Sequence, residues 1–226
     1  MLRTYLTIGA IAYLLGSIPF GYILVRWFRG QDIRTTGSGN IGATNVARTA
    51  PGLGVLTLLL DALKGAAAVF IAGWLASRQG DLRLAGVGAE PALSFAIALA
   101  ALMAVLGHMF PVWLRFKGGK GVATAVGALL WFSPAAVGIV FAVFALVVAV
   151  TRYVSLGSII GAAVFPVAIY LVEPRSRAPG TMLVLSLLAL FIILKHHQNI
   201  RRLFSGTESR FALKRRAAAA QLASED

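Results

Sequence analysis

Seven stretches of this 226-residue chain are almost entirely apolar: Thr4 to Val25, Leu53 to Ala76, Ala92 to Val112, Val122 to Phe132, Pro134 to Val150, Ser155 to Val172 and Thr181 to Leu194. Polar, glycine-rich segments separate most of them. A helix rises about 1.5 Å per residue, so runs near 20 residues match a hydrocarbon core about 30 Å thick. The pattern predicts an all-α polytopic membrane protein with seven transmembrane helices. Only Val122 to Val150 admits two readings, one long tilted helix or two short ones broken at Ser133-Pro134, where proline removes a helix hydrogen bond. The first run continues through GSIPFG at 16 to 21 with no small-residue cleavage site, which reads as a retained span.

Charge parity decides between the two readings. With a break at Ser133-Pro134, five basic residues (Arg3, Arg78, Arg83, Arg175 and Arg177) fall on one face, Lys64 lies within a span, and the other fifteen of 21 share the opposite face. A single long span reverses everything after Val150 and gives nine against eleven. Cytoplasmic faces concentrate Lys and Arg, so seven spans are expected, with the N-terminus outside (periplasmic) and the C-terminus cytoplasmic.

Composition agrees. A hydrophobic fraction of 58%, a charged fraction of 13% and a mean hydropathy of +0.82 exclude a soluble domain of this length. Residues 1–211 read as one seven-span domain and 212–226 as a basic, Ala-rich cytoplasmic tail drawn to anionic headgroups. The net charge of +13 is largely topogenic, so nucleic-acid binding is not expected. With no cysteine, disulfides, thiolate metal sites and a thiol nucleophile are excluded.

The same parity brings four polar segments to the cytoplasmic face: DIRTTGSGNIGATNVAR at 32 to 48, FKGGKG at 116 to 121, RYVSLGS at 152 to 158 and HHQNIRRLFSGTE at 196 to 208. Irregular backbone at membrane depth needs protein or water over it, so the four are expected to line one cleft. Their chemistry suits an anion. Gly37, Gly39 and Gly42 permit close backbone approach, and Arg34 and Arg48 add fork-shaped cationic donors. Lys117 and Lys120 flank Gly118-Gly119, whose backbone amides would cradle a phosphate between the lysine charges, at the start of a helix whose dipole favours an anion there. The GxxxxGK[ST] spacing of a P-loop is absent and no strand precedes the segment, so a nucleoside triphosphate is not indicated.

GSIPFG, DIRTTGSGNIGATNVAR, GHMFPVWLRFKGGKGVAT at 107 to 124, RYVSLGS and HHQNIRRLFSGTESRF, in that order, resemble the bacterial acyl-phosphate:glycerol-3-phosphate acyltransferases, the PlsY family. The resemblance extends from the first span to Phe211. It implies a seven-span enzyme of the bacterial inner membrane, active at the cytoplasmic face. That enzyme transfers a fatty acyl group from acyl phosphate to the 1-hydroxyl of glycerol 3-phosphate, giving lysophosphatidic acid and inorganic phosphate, the first acylation of phospholipid synthesis. It further implies an upstream enzyme that forms acyl phosphate, membrane lipids as surroundings, and no cofactor. The His-x4-Asp motif of acyltransferases that use thioester donors is absent: Trp113, Arg201 and Arg202 stand five residues after His108, His196 and His197.

The resemblance carries site roles onto Ser38, Asn40, Thr44, Asn45 and Arg48 in the first loop, Lys120 in the second, Ser158 after the fifth span, and His196 with Asn199 in the last segment. Gly37, Gly39, Lys117, Gly118 and Gly119 join them on chemical grounds. Arg48 and Lys120 would neutralise phosphate, with Ser38 and Thr44 orienting the reactants. His196 and Asn199 lie three apart, on one face of a helix continuing from the seventh span. The hydroxyl proton would pass to His196, whose ordinary pKa is about 6.5, or to the substrate's own phosphate, which titrates near pH 6. Acyl phosphate already has a good leaving group, so direct attack is favoured over an acyl-enzyme on Ser38. Asp61 and Lys64, three apart in the second span, read as an ion pair supporting a Gly-rich loop from beneath, and His108 as structural. Of the eight acidic residues only Asp32, Asp61 and Glu208 fall within or beside the expected cleft, so a carboxylate dyad is not expected, and such sparse carboxylates argue against a metal. A phosphate or organic-anion transporter is the competing class, but its inverted repeats are missing, and a CDP-alcohol phosphotransferase needs several intramembrane aspartates where this chain has only Asp61.

Overall fold

The computed structural model describes residues 1–78 and 89–210. The tail expected at 212–226 lies outside the described residues. Among the described residues ten α-helices follow in order: α1 Leu2–Gly16, α2 Phe20–Arg29, α3 Ala43–Thr49, α4 Pro51–Arg78, α5 Ala89–Met109, α6 Val122–Phe132, α7 Pro134–Thr151, α8 Val154–Val172, α9 Pro179–Lys195 and α10 His197–Phe204. No strand occurs among the described residues.

All seven apolar runs are helical, but their lengths differ. Among the described residues five helical segments are long and apolar enough to cross a bilayer: 2–29, 51–78, 91–114, 134–151 and 154–172. The pair α9 and α10, bent by 53°, would make a sixth. Helix α6 has 11 residues, so at about 1.5 Å each it covers roughly half the core. The break between α6 and α7 falls at Ser133, whose hydroxyl accepts from the Ala136 amide at 3.4 Å and caps α7 with Pro134 in its first turn.

Two expected continuities are interrupted. The first run splits at Ile18-Pro19 into α1 and α2, because Pro19 has no amide to continue the ladder. The last run does not pass smoothly through His196. The His196 ring takes the carbonyl of Ile192 at 2.8 Å, and its amide steps back to Ile193 at 2.9 Å, which ends α9 before α10 begins. His196 and Asn199 therefore do not share one continuous helix.

Packing relies on small residues, as expected where lipid leaves close backbone approach and dispersion to hold helices together. Helix α1 lies on α5 and α4 on α6, while α7 and α8 form a hairpin that α9 ties to α5. A methyl group on Gly16 would strike the Ala104 carbonyl, one on Gly65 the Thr124 carbonyl, and one on Gly127 the Ala62 carbonyl. The core between them is alanine-rich, with Ala68, Ala72, Ala101, Ala104 and Ala128 all buried. Gly127→Val should therefore overpack the α4–α6 contact and cost about 1–3 kcal/mol, lowering the thermal midpoint in detergent. Gly138→Val, in open space on α7, is the control and should leave that midpoint unchanged.

Candidate active site

Five apolar side chains, Val25, Ile33, Ile41, Val46 and Leu114, form a second small core. Leu114 belongs to the segment after α5, and Ile33, Ile41 and Val46 to the loop and helix after α2, so the first two Gly-rich segments are seated on each other. Within the first loop, Asn45 is the hub. Its Oδ1 accepts from the Ser38 amide at 2.9 Å, and its Nδ2 donates to the carbonyls of Asn40 at 2.8 Å, Thr36 at 3.1 Å and Ile33 at 3.3 Å. Gly37 adopts φ +56°, and a Cβ there would collide with Asn45 Oδ1, so glycine is required twice over. Asn40 Oδ1 accepts from the Gly42 amide at 2.8 Å, starting α3. Asn40 and Asn45 thus spend these groups on the loop itself, a scaffolding arrangement rather than a free ligand set. Ser38, Thr44 and Arg48 are exposed around the loop. Arg34 is committed elsewhere: its guanidinium pairs with Asp32 at 2.6 Å and lies over the Tyr22 ring, and its hydrogen bonds hold the Asp32 carboxyl below the usual range.

The second loop corrects the expectation of an amide cradle at Gly118-Gly119. The Gly118 amide donates to the Met109 carbonyl at 3.2 Å and the Gly119 amide to the His108 carbonyl at 3.0 Å. Both donors close the end of α5 and are not free to bind an anion. Lys117 is exposed, whereas Lys120 is half-buried immediately before α6. Burial pushes the Lys120 ammonium down to about 8, against the pull of Glu208, with Arg202 and Arg48 adding repulsion. Cations from three segments are therefore near neighbours.

Glu208 joins the remaining segments. It accepts from Ser155 Oγ at 2.7 Å, Asn199 Nδ2 at 2.6 Å and Arg202 Nε at 2.6 Å. Burial works to raise its pKa, but these bonds together hold the carboxyl below the ordinary range. Sequence reasoning treated Glu208 only as one of three plausible acids and passed over Ser155 and Arg202. The signal that could have found it was a lone carboxylate set among Arg201, Arg202 and Arg210. Ser158 sits one turn beyond Ser155, and its hydroxyl folds back to the Val154 carbonyl at 3.0 Å.

His196 and Asn199 are buried at the inner side of this cluster, at 2% and 4% exposure. Helix α9 ends at Lys195 and α10, bent from it by 53°, is a polar helix carrying Arg201 and Arg202, so His196 stands just past the end of the apolar stretch. A carbonyl can only accept, so His196 Nδ1 carries the proton to Ile192 and Nε2 of the neutral ring keeps a lone pair. Burial pushes the ring's pKa down to about 4, opposed by the Ile192 bond and assisted by Lys120. It is a neutral acceptor at pH 7. Glu208 fixes Asn199 through its amide nitrogen, leaving Asn199 Oδ1 buried with no hydrogen-bond partner among the described residues. His197 is exposed, and its Nδ1 pairs with the Leu194 carbonyl at the end of α9 at 3.1 Å.

A sequence profile of glycerol-3-phosphate acyltransferases matches residues 6–206. The chain belongs to the glycerol-3-phosphate acyltransferase family. The relative from Syntrophotalea carbinolica is 52% identical over 88% of this chain and 94% of its own, and that from Rhodopseudomonas palustris is 47% identical over 95% and 100%. Both are named glycerol-3-phosphate acyltransferase. The crystal structure of PlsY, an integral membrane glycerol 3-phosphate acyltransferase, is similar in its glycerol 3-phosphate form, with a TM-score of 0.79 and 36% identity over 92% of this chain and 96% of that one. Its lysophosphatidic acid form matches with a TM-score of 0.75 and 35% identity, over 92% and 95%. The transporter reading is thereby set aside.

An acyltransferase acting on glycerol 3-phosphate must hold a phosphate dianion, and a lysine contributes to that only while protonated. With its pKa near 8 in the free enzyme, kcat/KM for glycerol 3-phosphate should fall as pH rises through about 8. Lys120→Arg, which stays charged because guanidinium titrates above about 12, should flatten that limb. An identical fall in the arginine variant would assign the titration to another group.

Proposed function

We propose that this acyltransferase takes its acyl group from acyl phosphate and transfers it to the 1-hydroxyl of glycerol 3-phosphate, releasing inorganic phosphate. The observation that carries the proposal is the pairing of two buried acceptors, Asn199 Oδ1 and neutral His196, with the cations of Arg48, Lys120 and Arg202. A polyol phosphate offers the matching set, a hydroxyl donor at one end and a dianion at the other. Arg48 and Lys120 hold the phosphate, with Lys117 at the rim. Ser38 and Thr44 supply hydroxyls to the reactants, on a loop shaped by Gly37, Gly39, Asn40 and Asn45. Ser158 lies behind Ser155, which with Glu208 anchors Asn199.

The chemistry then needs no acyl-enzyme. The 1-hydroxyl, aligned by Asn199 and His196, attacks the carbonyl carbon. The tetrahedral oxyanion is steadied by the hydroxyl of Ser38, and the bond from carbon to phosphate oxygen breaks. With His196 held near a pKa of 4, the proton passes to a phosphate dianion, whose pKa near 6 makes it the stronger base. Acyl phosphate as donor is supported by the clustered cations, suited to two phosphorylated reactants, and by the missing thioester-acyltransferase motif. A bacterial inner-membrane location with the cluster facing the cytoplasm is supported by the fifteen-to-five distribution of basic residues, α6 serving as a short fourth crossing.

Purified protein given palmitoyl phosphate and labelled glycerol 3-phosphate should form lysophosphatidic acid and phosphate in equal amounts, and palmitoyl-CoA should not substitute. Turnover with palmitoyl-CoA alone would refute the donor. Arg48→Ala and Lys120→Ala should each lose most turnover while remaining folded. In intact cells, an impermeant maleimide should spare cysteines placed at Lys117 and Gln198 and react with one at Arg78. Labelling at Lys117 would reverse the orientation.

A further inference from the structure

We infer that the buried cluster Asp61, Lys64 and His108 sets the spacing between the two cation-bearing loops and so tunes phosphate binding; this rests on reading those loops as the phosphate site. Among the described residues no hydrogen bond or ion pair joins the cluster to Arg48 or Lys120, so its members are positioning residues. Lys64 Nζ lies 2.8 Å from Asp61 Oδ1, and His108 Nδ1 is 3.6 Å from the same oxygen, too long for a hydrogen bond but close for a charge contact. All three side chains are at most 4% exposed.

Two chains of contact leave this cluster. On one side, Lys64 Nζ donates to the Ile18 carbonyl at 2.7 Å and lies 5.7 Å from the Phe20 ring centre, fixing the break between α1 and α2. The next residue, Gly21, lies so close to the Ile41 carbonyl that a methyl group there would collide with it. Ile41 belongs to the first loop, two residues before the helix that carries Arg48 in its last turn. On the other side, His108 is the floor of the second loop. Its carbonyl accepts from the Gly119 amide, and a Cβ on Gly119 would overlap its Nε2. Lys120 is the next residue. The Gly118-Gly119 pair, whose amides are already donated, thus serves a different purpose, letting the backbone just before Lys120 rest directly on His108.

A buried ion pair is weak evidence for stability, since apolar residues of equal volume often do as well. What it supplies here is registry. Asp61, one carboxylate, couples Lys64 under the first loop to His108 under the second, across helices α4 and α5.

The test uses the full chain, which has no native cysteine. Spin labels at Thr35 and Lys117, both exposed, should give one narrow distance between the loops, broadened or displaced by Asp61→Asn. The same substitution should raise KM for glycerol 3-phosphate by about tenfold with much less change in kcat, as misplacement of a binding group requires. An unchanged distance in a folded Asp61→Asn variant overturns the inference. If wild-type protein gives no acyl transfer, the functional reading fails while the distance still decides this one. Should Asp61→Asn not fold, Gly119→Ala and His108→Ala form a second test. Residues acting through each other should give a double variant no worse than the more impaired single one, and KM effects that simply multiply would overturn the inference by showing the two to be independent.

Discussion

Burial of the Lys120 ammonium beside the like charges of Arg202 and Arg48, half-shielded by the Glu208 carboxylate, is the constraint around which this end of the molecule is built. Like charges drift apart unless backbone and packing hold them. Here the holding is done by Glu208, which gathers Ser155, Asn199 and Arg202, and by a small apolar core that seats the first loop on the second. Because Glu208 offsets only part of the positive charge, the cluster retains an affinity for an anion. Lys120 registers this directly, with an ammonium whose pKa is pulled down to about 8 by burial and by its cationic neighbours.

The membrane makes such a cluster demanding to build. Backbone that is neither helix nor strand must find partners without help from lipid. The first loop solves this with a single buried side chain, Asn45, which serves one amide and three carbonyls. The second uses the end of α5, borrowing the carbonyls of His108 and Met109 for its glycine amides. The amides of Ser38, Gly39, Gly42, Gly118 and Gly119 are thus spent inward. That separates the Gly118-Gly119 pair from a phosphate-binding glycine loop, whose amides must stay free.

The helical content and the location of the apolar runs were legible because hydropathy over about 20 residues is a strong signal. The gathering of the four polar segments followed from charge parity alone. What escaped was local and three-dimensional. The bend at His196 depends on a ring reaching a carbonyl four residues back, which no periodicity encodes. Gly118 and Gly119 looked like an anion cradle because composition cannot tell whether an amide is already donated. Asn45 and Glu208 were misjudged or underrated for one reason: each acts by the number of partners it collects, and partner number is a property of the fold. Asp61 and Lys64 were readable as an ion pair from their spacing, yet their link to His108 crosses helices.

Division of labour between His196 and the substrate follows from the same electrostatics. An imidazole sealed from solvent and placed near Lys120 loses proton affinity, so burial and the positive field proposed to bind phosphate together weaken the protein's own candidate base. A phosphate dianion bound in that field is also made less basic, but it starts from a reference pKa near 6 and carries two charges, and it travels with the hydroxyl that must be deprotonated. With the acyl-phosphate donor proposed above, the leaving group is itself a phosphate, so the reaction would deliver a base to the site at the moment the carbon–oxygen bond breaks. A site that concentrates cations therefore has little use for a strongly basic side chain. It needs neutral acceptors that aim a hydroxyl, which is what Glu208 makes of Asn199 and what the Ile192 carbonyl makes of His196.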